Sequence, residues 1–365
     1  MTTIRSFKPN DTDAVADLFW QTFKHKQPPA PRSLKDYMRT LYFTNPSYDE
    51  HMSSLVYEDQ QGRIQGFIGG IPVHFRCKDR KITALVAGNH MVNPNLNDPY
   101  AGTLLLRKFF AGPQDLTYTD TANNISVRMW KLFGAKTLAS SSIRWIHILR
   151  PIPFSAFVMK RHALGKVCSS LLYPLSRLTD CFYSKIKFRP PKNILTHIDQ
   201  CKIDTSTILK SLKDFMRDRI VFPDDNEESL NWRLSLASQK IEFGDLQKCG
   251  VLERGKLLGW YLYYVRKGGI AHVLQFVARA KKANQVLNHL FIEAYHQKAL
   301  AVMGHADLKH ITEYSKHNCH LFLRNALAMV HTRDPEILSA FLEDEAFISR
   351  LEGDWWTRLQ GDEFT

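Results

Sequence analysis

Residues 86–112 read VAGNHMVNPNLNDPYAGTLLLRKFFAG, and residues 121–135 read TANNISVRMWKLFGA. An apolar strand ends at Asn93-Pro94, a polar loop runs to Ala101-Gly102, and a helix starts at once with Thr103-Leu104-Leu105. The first-turn N–H groups of a helix have no intrahelical partner, and together with the helix dipole they attract an anion such as a pyrophosphate. Gly102 lets such an anion come close to the backbone.

This order resembles the GNAT (N-acetyltransferase) superfamily, whose members hold the pyrophosphate of acetyl-CoA or another acyl-CoA on a loop Gln/Arg-x-x-Gly-x-Gly/Ala before an apolar helix. Laid on this chain, the loop is Asn97-Asp98-Pro99-Tyr100-Ala101-Gly102, with Asn97 in place of Gln/Arg and Tyr100 in place of the middle glycine. The start, Ile4 to Asp11 followed by Ala14 to Phe19, resembles the family's first strand, turn and helix. Asn123-x-x-Ser126-x-x-x-Trp130-x-x-x-Gly134 resembles the family helix Asn-x-x-Ala-x-x-x-Tyr-x-x-x-Gly beside the cofactor. That tyrosine often protonates the departing thiolate. Trp130 stands there instead, and an indole N–H donates a hydrogen bond without delivering a proton.

The resemblance implies a cofactor-binding set of Met91, Val92, Asn97, Tyr100, Ala101, Gly102, Thr103, Leu104 and Trp130. A backbone N–H at Met91 or Val92 is the implied oxyanion donor. Acyl transfer also needs a base to take the nucleophile's proton. His90 is the first candidate on the strand, with His74 second. Asp120 and Asn123, at the next strand end, are placed to orient a water or the acceptor.

The 365 residues exceed one average domain, and 44% hydrophobic with 12% aromatic content supplies packed cores. Six cysteines at 77, 168, 181, 201, 249 and 319 form no Cys-x-x-Cys pair, a pattern of reduced thiols. No stretch approaches the roughly 18 apolar residues of a spanning helix, and MTTIRSFKPND lacks a signal peptide's apolar centre, so a cytoplasmic, membrane-peripheral place is expected. The net charge of +13 is concentrated between Ser141 and Lys192, where ten basic residues meet one acid, Asp180. Interleaved with apolar residues, this surface suits an anionic membrane or an acidic acceptor; an ordinary solvated connector is the plainer reading. No nucleic-acid motif accompanies the charge.

Residues 1–145 read as a strand-and-helix unit, with a hairpin of Ser54–Glu58 and Ile64–Phe75 around Gln61-Gly62. A basic, proline-containing connector covers 146–192, and Pro190-Pro191 marks its end. Residues 193–365 repeat the order hairpin, strand, helix, strand, with a turn at Arg254-Gly255-Lys256. The expected fold is therefore α/β, two tandem GNAT-like domains, each a mixed, mostly antiparallel sheet flanked by helices. The second loop, Ala278-Arg279-Ala280-Lys281-Lys282-Ala283, has no glycine, so one cofactor site is expected, in the first half. Near the C-terminus, Asp334 followed by Pro335 signals a helix start, and Trp355-Trp356 is expected to pack on the body.

His305, His310, His317, Cys319 and His320 lack the paired spacing of zinc modules, so no metal is expected. Neither Gly-x-Ser-x-Gly nor a Gly-x4-Gly-Lys-Ser/Thr loop occurs. The reading is an acyl-CoA-dependent, acetyl-type transferase with a small-molecule or glycan-precursor acceptor. The rival is a degenerate fold of the same kind that only binds a partner or membrane surface.

Overall fold

A computed structural model of the protein describes residues 2–161, 198–323 and 326–365. In chain order its strands are β1 (Thr3–Ser6), β2 (Leu55–Glu58), β3 (Ile64–Cys77), β4 (Arg80–Val92), β5 (Leu116–Ala122), β6 (Lys136–Leu138), β7 (Ile143–Ile148), β8 (Ile198–Lys202), β9 (Val221–Pro223), β10 (Asp245–Glu253), β11 (Lys256–Val265), β12 (Ile270–Ala278), β13 (Ala301–His305), β14 (His320–Leu323) and β15 (Leu327–Thr332). The α-helices are α1 (Thr12–Lys24), α2 (Arg32–Phe43), α3 (Ala101–Phe110), α4 (Asn124–Leu132), α5 (Ala139–Ser142), α6 (Pro151–Arg161), α7 (Thr205–Phe215), α8 (Glu227–Ser238), α9 (Ala283–His296), α10 (Ile311–Lys316) and α11 (Pro335–Leu342).

These elements form two compact units. The first gathers Met1–Ser142, Met216–Glu242 and Arg324–Thr365; the second gathers Ile143–Phe215 and Phe243–Leu323. The linear division at 145 and 193 expected from the sequence is thus corrected, and the reason lies in strand pairing. The first sheet runs β1-β2-β3-β4-β5-β15-β6, with β9 beside β3. The second runs β14-β7-β13-β12-β11-β10-β8. Each sheet therefore receives a strand from a distant part of the chain: β15 from near the C-terminus in one, β7 from before the 162–197 stretch in the other. Residues 146–161 belong to the second unit as the end of β7 and α6. The rest of the expected connector, with Lys185, Lys187, Arg189 and Pro190-Pro191, lies outside the described residues.

In the first unit β4 pairs in parallel with β5 and antiparallel with β3. Alternate residues of β4 then face opposite ways, and Leu85 and Ala87 pack with Leu105, Leu106 and Phe109 of α3 and Trp130 of α4. On α1, Val15, Leu18 and Phe19 are buried at helical spacing. In the second unit β12 pairs in parallel with β13 and antiparallel with β11. Helix α9 buries Val286, Leu287, Leu290 and Phe291 in its core. Arg254 and Gly255 both take positive φ, 51° and 76°, as a two-residue hairpin turn requires. Both units are mixed sheets flanked by helices, the class expected from the sequence. Among the described residues no helix is long and apolar enough to cross a membrane.

Candidate active site in the first unit

The parallel ladder of β4 and β5 is short: Ala84, Leu85 and Val86 pair with Leu116, Thr117 and Tyr118. Both strands continue, to Val92 and Ala122, without pairing further with each other. The two strands therefore splay, and β4 amides turned toward β5 lose their ladder partners beyond Val86.

A bulge marks each side of the splay. On β4, Asn89 and His90 together oppose the single residue Ile68 of β3, and Asn89 takes φ 52°. On β5, Asp120 and Thr121 oppose Ala328 of β15. A bulge sends two neighbouring residues to one face where regular pleating would alternate them. Accordingly Gly88 and Asn89 face the α2 side, where Asn89 Nδ2 donates to the Tyr42 hydroxyl at 3.1 Å. His90 turns the other way, and a Cβ built on Gly102 would stand 3.6 Å from His90 Nε2.

Helix α3 begins beside this splay, and no side chain caps it. Asp98 is already engaged: its carboxylate accepts from the Tyr57 hydroxyl at 2.5 Å and the Tyr100 N–H at 2.9 Å. Those contacts hold its carboxyl below the usual carboxylate range, the Tyr57 hydrogen bond foremost. The first-turn N–H groups of Gly102 and Thr103 keep their donors. Tyr100 and Leu104 are exposed, Asn97 lies on the exposed loop, and Val92 is half-buried against the α3 core. These residues fit a bound pyrophosphate with an adjoining chain. Ala101 and Met91 are buried and reach a ligand only through their backbone.

Trp130 departs from expectation. It is 2% exposed and packs edge-on against Phe110, ring centroids 4.9 Å apart, so its indole belongs to the α3–α4 core and not to the cofactor edge. Asn123 caps α4, its side chain accepting from the N–H groups of Ile125 and Ser126. That role explains the residue without catalysis.

His90 and Asp120, named together from the sequence, go to opposite faces. Burial pushes the His90 imidazole down to about 4, with the Gly102 backbone opposing. Its Nε2 is buried without a hydrogen-bond partner. The His90 imidazole is thus a weak base that faces α3, away from Asp120. His74 lies farther down β3, opposite Thr83.

Asp120 instead meets a residue that sequence reasoning missed. Asp354, from the C-terminal segment, lies across the splay. Its carboxylate accepts from Thr121 Oγ1 at 2.8 and 2.9 Å and from Gln360 Nε2 at 2.8 Å. Its backbone N–H donates to Asp120 Oδ1 at 3.0 Å. A Cβ on Gly88 would come within 2.9 Å of Asp354 Oδ2, so only glycine leaves room for the carboxylate on β4. Burial raises the Asp354 carboxyl well above the usual range, and neighbouring Asp120 adds to the effect. Asp120 Oδ2 and the Tyr118 hydroxyl are buried beside it without partners.

In the second unit two of the three cations of the corresponding loop are engaged. Arg279 donates to Leu257 O at 2.9 Å and Asp214 at 2.7 Å, and Lys282 to Glu253 at 2.8 Å.

A splayed parallel pair, a bulged strand and an uncapped helix start define an N-acetyltransferase-type fold. Solved structures agree. A conserved protein of unknown function and probable N-acyltransferase from Enterococcus faecalis superposes with a TM-score of 0.59 at 10% identity, covering 94% of this chain and 75% of that one. A GCN5-related N-acetyltransferase from Anabaena variabilis gives 0.58 at 10% identity over 92% and 73% of the two chains. Another, from Kribbella flavida, gives 0.51 at 11% identity over 93% and 73%. The chain thus has the GCN5-related N-acetyltransferase fold. No protein-family model and no curated protein matches its sequence.

Proposed function

We propose that the protein is an acyl-CoA-dependent acyltransferase, moving an acyl group, in the simplest case acetyl, to an amine or hydroxyl of a small-molecule or glycan-precursor acceptor. The carrying observation is the β4–β5 splay ending at the uncapped start of α3. Asn97, Tyr100, Ala101, Gly102, Thr103 and Leu104 would hold the pyrophosphate and its neighbourhood, with Met91 and Val92 along the splay. Acyl-CoA, as co-substrate, supplies an activated thioester carbonyl. The chain's own groups do the rest. Of the two implied donors, Met91 and Val92, the Val92 amide is the one turned from β3 toward β5, since Asn93 N–H already bonds Gln65 O, and it polarises that carbonyl oxygen. Asp354, whose carboxylate burial makes a stronger base than a solvated one, takes in its ionised form the acceptor's proton as the new bond to the carbonyl carbon forms and the C–S bond breaks. Asp120 orients Asp354 through the backbone N–H.

The leaving thiolate takes its proton from water, because Trp130 occupies the position where related helices carry tyrosine. That same substitution favours a second reading, a binding module that has lost catalysis. Calorimetric titration with coenzyme A tests the first requirement of the acyltransferase reading. Binding at one site per chain is expected, and no binding to the folded protein would overturn the reading. Release of free thiol from acetyl-CoA in an amine acceptor screen then separates an enzyme from a module.

A further inference from the structure

A cavity of about 300 Å³ opens in the first unit beside the last turn of α3. That volume meets the lower end of the range for ligand pockets, about 300–1,000 Å³. Helix α3 runs from Ala101 to Phe110, and at about 1.5 Å per residue its ends stand roughly 15 Å apart. The cavity is therefore separate from the candidate pyrophosphate site at the helix start.

Its floor is apolar, made of Leu55, Leu85 and Phe109 from the core of the unit, with Met52 beside them. Two buried polar atoms on residues of its wall have no hydrogen-bond partner, Ser53 Oγ, on a residue only 8% exposed, and Gln114 Oε1. The Gln114 amide is fixed in place, because its Nε2 donates to Phe109 O at 2.8 Å and to Thr117 Oγ1 at 3.0 Å. Gly112 leaves room for it, since a Cβ there would stand 2.2 Å from Oε1. Buried polar groups are nearly always paired, so a hydroxyl and a carbonyl left over around one cavity call for a ligand that pairs with both.

Charge of both signs surrounds the mouth. Lys108 is exposed on the last turn of α3 and enters no salt bridge among the described residues. Glu50 is exposed as well, with His51 Nε2 no nearer than 3.8 Å. The C-terminal end of α3, which forms part of the wall, adds the partial negative charge of a helix end.

We propose that this cavity binds a free amino acid with an unbranched or branched aliphatic side chain. Its carboxylate takes the Lys108 ammonium and the Ser53 O–H, and its ammonium donates to Gln114 Oε1 near Glu50 and the end of α3. The side chain lies on Leu55, Leu85 and Phe109. A simple carboxylate would leave the Gln114 acceptor unmet, and a simple amine would leave Lys108 unmet, so the lining selects a ligand that carries both charges. This assignment does not depend on the acyltransferase reading.

Calorimetric titration of the full chain with L-leucine and L-methionine, and with isocaproate and isoamylamine, which each lack one charge of leucine, tests it. The amino acids should bind at one site per chain, and each analogue about tenfold more weakly than leucine, the worth of one charge-assisted hydrogen bond. Lys108→Met, a surface change that the fold tolerates, should weaken leucine by about tenfold. Ser53→Ala removes a hydroxyl that has no partner in the chain, so it should leave the melting temperature level or raised while weakening leucine severalfold. A purely structural Ser53 would give the reverse, a lower melting temperature with binding untouched. That reverse result, equal binding of leucine and its two analogues, or no binding of either amino acid overturns the proposal. No acyl donor is present in these titrations, so their outcome is separate from that of the coenzyme A titration.

Discussion

Gly88→Ala probes the feature that joins the strand splay to the C-terminal segment. The new Cβ would approach Asp354 Oδ2 to 2.9 Å, Cβ to 3.3 Å and Cγ to 3.4 Å. Asp354 has little freedom to give way, because Thr121 and Gln360 hold its oxygens and its N–H is bound to Asp120. Relief requires the carboxylate to move and surrender one or more of these bonds. Overpacking of this kind costs about 1–3 kcal/mol, and each strained hydrogen bond to a buried carboxyl falls in the same range. At about 2–4 °C per kcal/mol for a domain of this size, the melting temperature should drop by a few degrees to about 10 °C. Gly102→Ala is the internal control. Its Cβ would meet Met129 Cε at 3.3 Å, Val92 at 3.5 Å and His90 at 3.6 Å, and the nearest of these is the tip of a flexible side chain. That variant should stay within about 1 kcal/mol of the parent. Denaturant titration of both variants, with hydrogen exchange at residues 353–360, makes the comparison. Equal stabilities, with protection of 353–360 unaltered in Gly88→Ala, would refute the placement of Asp354 on β4.

Gly102→Glu puts a carboxylate at the start of α3 and should weaken coenzyme A binding by tenfold or more in calorimetry, while the parent binds one molecule per chain. Arg233 is 2% exposed and pairs with Asp225 through two bonds of 2.9 and 3.0 Å, with buried Glu352 nearby. Arg233→Met leaves the buried Asp225 carboxylate without its ion-pair partner and should cost about 3–5 kcal/mol at neutral pH, read from the denaturant midpoint. Asp334→Ala removes the cap that accepts from Glu336 and Ile337 N–H and should cost about 0.5–2 kcal/mol in the same assay.

What was legible in the sequence was decided by neighbours a few positions apart. The strand, loop and helix around Gly102, the Arg254-Gly255 turn and the Asp334-Pro335 helix start each depend on local backbone preferences and nearby side chains, and each stands where its residues place it. The fold class followed from the same signals, because hairpin, strand, helix and strand in that order leave few ways to cover a sheet.

The tertiary structure alone decided which strands complete which sheet. β15 can lie between β5 and β6, and β7 between β13 and β14, only because both edges of each gap present free backbone groups, and strand sequence does not name its partner. It alone put His90 toward α3 and Asp120 toward Asp354, since a one-residue bulge reverses the face of everything beyond it. Asp354 itself carries no local motif. Its N–H reaches Asp120 across 234 positions of sequence, and its burial, its partners and its raised carboxyl all arise from that meeting.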